Sequence, residues 1–221
     1  MAEKYGTIPP RFTKEWWSYF WLYYKWHTII TLFILACILT AVYQNITAIK
    51  YDLTVAYAGY HSFSDEKAEE ISDILSTVCE DVDENGEKNV YFSTLSFMPD
   101  NNDPEYNMAL YSKLQLNLVA DEVYLYIMEE SLIDSFIGDS AEYATFEPLE
   151  NWYKGTVNPE TAFSRFETVY GVPVSECKLL KDLDGNFENH YLVLRYSPRE
   201  DQKNQFAGYE AAKKMAAEII G

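Results

Sequence analysis

The residues best suited to chemistry are carboxylates, and their tightest run is Asp81-Val82-Asp83-Glu84-Asn85-Gly86. It reproduces the first six positions of an EF-hand loop, where alternate oxygen side chains wrap a calcium ion and glycine makes the sharp turn. Such a loop completes its coordination with a bidentate glutamate at the twelfth position, which here is Phe92. A benzyl side chain offers no oxygen, so the segment reads as a helix-to-strand turn and no metal is expected. Asp182-Leu183-Asp184-Gly185-Asn186 is a similar fragment with the composition of a hairpin turn. His27, His61 and His190 are scattered, none at metal-ligand spacing from another histidine or a cysteine. No Gly-x-Ser-x-Gly elbow, Gly-rich phosphate loop or His-Glu-x-x-His pair occurs. Acid pairs such as Glu129-Glu130 arise by chance in a chain with 35 acidic residues. The expectation is a protein without catalytic residues and without a cofactor.

The charge is unevenly spread. Residues 1–50 hold five basic and two acidic side chains (5 − 2 = +3), and residues 51–221 hold 12 basic and 33 acidic ones (12 − 33 = −21). So negative a surface repels nucleic acid and anionic headgroups and favours cationic partners. Of the cysteines, Cys37 lies in an apolar run, while Cys79 and Cys177 either pair in an oxidising compartment or stay as buried free thiols.

Thr28–Ile46 is free of charge and long enough for the roughly 30 Å hydrocarbon core of a bilayer. The sequence therefore predicts a transmembrane helix over residues 27–47, with the lipid bilayer as its partner. Just before it, Trp16, Trp17, Tyr19, Trp21, Tyr23, Tyr24 and Trp26 form an aromatic belt of the kind that sits at headgroup depth. Four basic residues precede the span and Lys50 follows it. Residues 1–26 should then stay cytoplasmic as a tail and interfacial segment, and residues 51–221 should form an extracytoplasmic domain. Cleavage after Thr40-Ala41-Val42 and lipidation of Cys37 in Ile34-Leu35-Ala36-Cys37 fit less well, because apolar residues continue beyond both.

Beyond the span, Tyr51–Ala58 reads as a strand, Ser64 caps a helix with Ala68, Ile71, Ile74, Leu75, Val78 and Val82 on one face, and Asn89–Phe97 reads as a second strand. Pro104 opens a helix striped by Tyr106, Leu110, Leu114 and Leu118, Val123–Met128 is an apolar strand, and Ser131–Ile137 a short helix. This alternation predicts an α/β domain of three layers with a mainly parallel sheet. Residues 139–175 should wander, Cys177–Leu183 and Phe187–Tyr196 should form a hairpin, and Asn204–Ile220 a closing helix. The outer tyrosines, Tyr143 among them, read chiefly as packing groups.

Lys113–Glu150 together with the opening segment from Tyr51 resembles one lobe of the type 2 periplasmic binding proteins, the solute-capturing components of ABC importers. The closing stretch from His190 is also similar to a final lobe element. The resemblance implies ligand binding at the strand ends, near Tyr57, Gly59, Tyr60, Ser96, Glu129 and Ser131. Members of that family close two lobes over their ligand, and the segment around residues 151–176 is too short for the second. The expectation is thus a membrane-anchored interaction module that presents a single lobe to an envelope protein. The alternative is a solute- or peptide-binding accessory of a transporter.

Overall fold

The computed structural model describes residues 9–99, 103–120, 123–141, 144–181, 187–196 and 206–221. The chain divides into two units, Met1–Ile49 and Lys50–Gly221.

The first unit is dominated by one helix, α1 (Lys14–Thr47), whose N-terminus is capped by the Thr13 hydroxyl accepting from the Trp16 N–H at 3.2 Å. It is long and apolar enough to cross a membrane, and none of its residues is buried by protein. Its 34 residues reach about 51 Å, well beyond a hydrocarbon core of about 30 Å. The aromatic segment from Trp16 to Trp26 belongs to this same helix. Trp16, Phe20 and Tyr24 stack at one-turn intervals, with centroids 5.5 and 5.8 Å apart.

Among the described residues of the second unit, six strands form one sheet: β1 (Leu53–Gly59), β2 (Val90–Ser96), β3 (Leu125–Glu129), β4 (Phe163–Arg165), β5 (Thr168–Pro173) and β6 (His190–Leu194), in the order β2-β1-β3-β6-β5-β4. The helices are α2 (Asp65–Ser76), α3 (Pro104–Val119), α4 (Glu130–Phe136) and α5 (Phe206–Ile220). Side chains alternate across β1 into two cores. Val55 and Tyr57 face α2 and α5 through Ile71, Leu75, Met215 and Ile219. Ala56 and Ala58 face α3 and α4 through Leu114, Leu118, Leu132 and Ile133. A strand covered on both faces must be apolar at every position, which is why β1 and β3 read as unbroken runs. The chain goes from β1 outward to β2 and then back across β1 to β3. Crossovers of a single hand therefore put α2 and α3 on opposite faces.

Two expectations change. The sheet is mixed: β1 pairs with β2 and β3 in parallel, whereas β3–β6, β6–β5 and β5–β4 are antiparallel. Cys177–Lys181 is not a strand, because the amides of Lys178 and Leu179 donate to the Ile220 and Ile219 carbonyls at the end of α5. Those bonds serve carbonyls that a helix terminus leaves open. The partner of β6 is instead β5, joined to β4 through Phe166 and Glu167. Both have positive φ (51° and 61°), the geometry of a type I′ hairpin turn without its usual Asn-Gly. The turn expected at Asp182–Asn186, Tyr143 and the first residues of the expected closing helix lie outside the described residues.

Candidate functional site

The helices cross to opposite faces on either side of β1, so the C-terminal ends of β1 and β3 form the switch point where open α/β sheets bind ligands. Beneath it lies a buried polar relay. His190 opens β6 with its Nδ1 2.8 Å from the Glu188 carbonyl, and a carbonyl only accepts, so Nδ1 carries a proton. The Nε2 of the neutral ring is then an acceptor, and the Tyr57 hydroxyl donates to it at 3.0 Å. The same hydroxyl oxygen accepts from the His61 backbone N–H at 3.0 Å. Burial pushes Tyr57 up to about 12 and holds His190 below the ordinary histidine value, so both stay neutral. In this pair both ring nitrogens of His190 and the Tyr57 hydroxyl have hydrogen-bond partners within the protein.

Gly59 makes this approach possible. A Cβ there would overlap the Tyr57 hydroxyl and His190 Nε2. The relay thus ties the end of β1 to the start of β6, although β3 lies between them.

Above the relay is a cleft of about 250 Å³ lined by Tyr60, His61, Glu129, Glu188, Asn189 and His190. Glu129 is half-buried at the end of β3, opposite His190 in the ladder. Desolvation raises its carboxyl above the usual range, while the Ser131 hydroxyl and the Tyr60 N–H, both donating to it, work in the other direction. Burial, with Tyr60 nearby, raises the Tyr111 hydroxyl above its ordinary value, and Tyr111 packs on Phe97 at 4.9 Å. The lining carries two carboxylates and neither lysine nor arginine, so it suits a small cation or a donor of several N–H groups.

Of the six residues expected at the strand ends, Tyr60 and Glu129 line the cleft and Ser131 sits beside Glu129, its hydroxyl 3.5 Å from Oε1. Tyr57 and Gly59 do not line it; the Tyr57 hydroxyl bonds His61 and His190, which do. Ser96 ends β2 on the far side of β1 and does not line the cleft. His61, Glu188 and His190 were not anticipated. The only sequence signal was a histidine opening the apolar strand His190–Leu194, a buried polar position in need of a partner. On the other side of Phe187–His190, a wider groove of about 540 Å³ is lined by Thr161, Ser175 and Lys181 among others.

Asp52, Asp81 and Asp83 bring carboxylate oxygens within 4.8 Å of one another. Backbone amides already bond these groups: Val82, Asp83 and Asn89 donate to Asp52, and Asn85 and Gly86 donate to Asp81. Phe92, at the twelfth loop position, is buried in β2. The arrangement is that of a hydrogen-bonded turn. Cys79 and Cys177 are free and buried.

Helix α3 is the other unusual surface. It buries Asn107, Leu114 and Leu118 but leaves Met108, Leu116 and Val119 between 64% and 69% exposed. With Ser112 they form one line along the helix at 4-4-3 spacing. Asn107, not the expected Tyr106, takes the inward position in the first turn. Its side-chain amide pairs with both the N–H and the C=O of Met98, at 2.8 and 3.0 Å. Against this geometry, the chain matches no protein-family model, no curated protein and no solved structure.

Proposed function

We propose that the chain is a non-enzymatic, membrane-tethered interaction module of the cell envelope. In this reading α1 holds the acidic domain on the outer side of the bilayer, and α3 is presented to an envelope protein. The observation that carries it is the outer line of α3, Met108, Ser112, Leu116 and Val119. Its apolar members are bare in a domain of net charge −21, and Glu105 and Lys113 are the only charged residues on the helix. A monomeric soluble domain gains nothing from an uncharged apolar strip, whereas a partner that covers it removes that surface from water at roughly 25 cal/mol per Å². The excess of basic residues before the span supports the outward orientation.

The test combines two measurements. Protease added to intact cells should digest the acidic domain; its survival would reverse the orientation. Met108→Glu with Leu116→Glu, both on the exposed line, should leave thermal unfolding unchanged and abolish a cross-link formed in the native membrane from a photoreactive residue at position 112. No cross-link from position 112 in the otherwise unmutated protein would remove α3 from the interface, and one that persists in the double variant would show that Met108 and Leu116 do not carry the contact.

A second reading, a solute- or peptide-binding accessory built on a single binding-protein-like lobe, is favoured by the cleft at Tyr60, His61 and Glu129. Glu129→Gln would weaken a cationic ligand there while leaving the α3 cross-link intact.

A further inference from the structure

The outer edge of β2 is open along its middle and closed at both ends. Asp52 N–H donates to the Asn89 carbonyl and Phe97 N–H to the Gly59 carbonyl, so the odd-numbered residues of this strand face β1 and the even-numbered ones face outward. At one end, Val90 N–H donates to the Ser76 hydroxyl at 3.0 Å and the Val90 carbonyl accepts from the Ser72 hydroxyl, both from α2. At the other end, the Asn107 amide satisfies both main-chain groups of Met98. Between these plugs, the outward N–H and C=O groups of Phe92, Thr94 and Ser96 meet no hydrogen-bond partner among the described residues.

Natural sheets blunt their edges with short strands, charges or proline. The opposite edge does so: β4 has three residues and carries Arg165, paired with Asp134 at 2.8 Å. Strand β2 has seven residues, Val90–Ser96, without a charge or a proline. Beside it, Asp65, Glu69, Ser72 and Ser76 follow 4-3-4 spacing along the side of α2 that reaches the edge. Because the two serines hold Val90, the two carboxylates continue along the neighbouring open stretch. All five acids of α2 are exposed, against a single lysine.

We propose that the β2 edge is a strand-accepting site for an extended, lysine- or arginine-bearing segment of a partner protein. The segment adds as a seventh strand along Phe92–Ser96, bonding its main chain to those of Phe92, Thr94 and Ser96 and setting its cations beneath Asp65 and Glu69. A second copy of this chain is disfavoured as the occupant, because it would bring another domain of charge −21 against the same carboxylates. The inference goes beyond the α3 reading, since it rests on the backbone of β2.

The test uses full-length protein in lipid nanodiscs and a synthetic peptide of alternating valine and lysine. Its counterparts carry glutamate for lysine, or proline at the centre. The lysine peptide should bind more weakly as salt rises and should slow hydrogen exchange at the Phe92, Thr94 and Ser96 amides; the other two should not. Thr94→Pro removes an outward N–H without taking a bond from β1, and should weaken binding by about tenfold or more. Asp65→Lys with Glu69→Lys, exposed and remote from the core, should abolish the preference for lysine over glutamate even if Thr94→Pro unfolds. Failure of the lysine peptide to bind, full binding to Thr94→Pro in its native fold, or protection that appears with protein concentration alone would each overturn the proposal. The Met108→Glu, Leu116→Glu variant should bind the peptide normally, which separates this edge from α3.

Discussion

The hydroxyl of Tyr57 lies 3.0 Å from Nε2 of His190, across 133 positions of sequence, and the two rings stack at 17° with centroids 5.4 Å apart. One residue lies near the end of β1, in the parallel half, and the other begins β6, in the antiparallel half. The bond therefore fastens the two halves of a mixed sheet at the edge where the cleft opens. Its partners are fully specified, because the Glu188 carbonyl fixes the tautomer of His190 and the His61 amide occupies the lone pair of Tyr57.

Tyr57→Phe leaves the His61 amide and His190 Nε2 without their partner inside the protein. The expected cost is about 1–3 kcal/mol, read as a fall in the urea midpoint at unchanged slope. A loss below about 0.5 kcal/mol would mean that water replaces the hydroxyl without penalty.

Gly59→Ala places a methyl group against the same two atoms and should destabilise by roughly 1–3 kcal/mol. The overlap with the hydroxyl disappears when that group is absent, while the one with His190 Nε2 stays. In the Tyr57→Phe background the alanine should therefore cost less, a coupling of at least about 0.5 kcal/mol in a double-mutant cycle.

Stability should fall as pH drops below the ordinary histidine value. His190 binds its proton less readily when folded than when unfolded, mainly because it is buried. Its contribution is thus complete above about 6.5 and is lost progressively between that value and its lowered folded value. Glu129 acts with the opposite sign: its raised folded value gives stability that is complete below the ordinary carboxyl value and lost as pH rises from there through the raised folded value. Unfolding free energy measured from pH 7 downward should decline first through the histidine. His190→Gln should remove that slope and leave the one due to Glu129.

The hairpin turn at Phe166-Glu167 can be improved. L-residues in the left-handed region are strained, and Asn-Gly takes that conformation readily. Replacing the pair with Asn-Gly should stabilise the protein by roughly 0.5–1 kcal/mol, a thermal midpoint a few degrees higher. A lower midpoint would show that the Phe166 ring, 39% exposed, packs to greater effect than the turn is strained.

Cys79 and Cys177 should resist alkylation in the native state. Burial raises the first thiol to about 11 and the second to about 12, so little thiolate exists at neutral pH. Both should react at the rate of a peptide thiol once the protein is unfolded in urea. Labelling of either in the folded protein at a comparable rate would contradict the buried placement.

Several elements were legible from local rules. Ser64 and Asp103 cap α2 and α3 through bonds from Lys67 and Tyr106, and Ile71, Leu75, Leu114 and Leu118 are buried as their spacing requires. Side-chain period and capping are properties of a few adjacent residues, so a single segment encodes them. The sheet was less legible, because Phe163–Arg165 and Thr168–Pro173 are short and lack the usual turn residues. Which strands pair in the second half depends on partners far along the chain.

The same division governs the protein as a whole. Residue order alone determined an uncharged stretch near the N-terminus long enough to cross a bilayer as a helix, the acidity of residues 51–221, and the strand–helix alternation of the first half of that domain, because composition and periodicity are local. Tertiary structure alone decided that His190 meets Tyr57, that Asn107 and two serines plug the ends of the β2 edge, and that α3 keeps an apolar line in water. Each of these is a contact, or the absence of one, between segments whose separation in sequence carries no information about their distance in space.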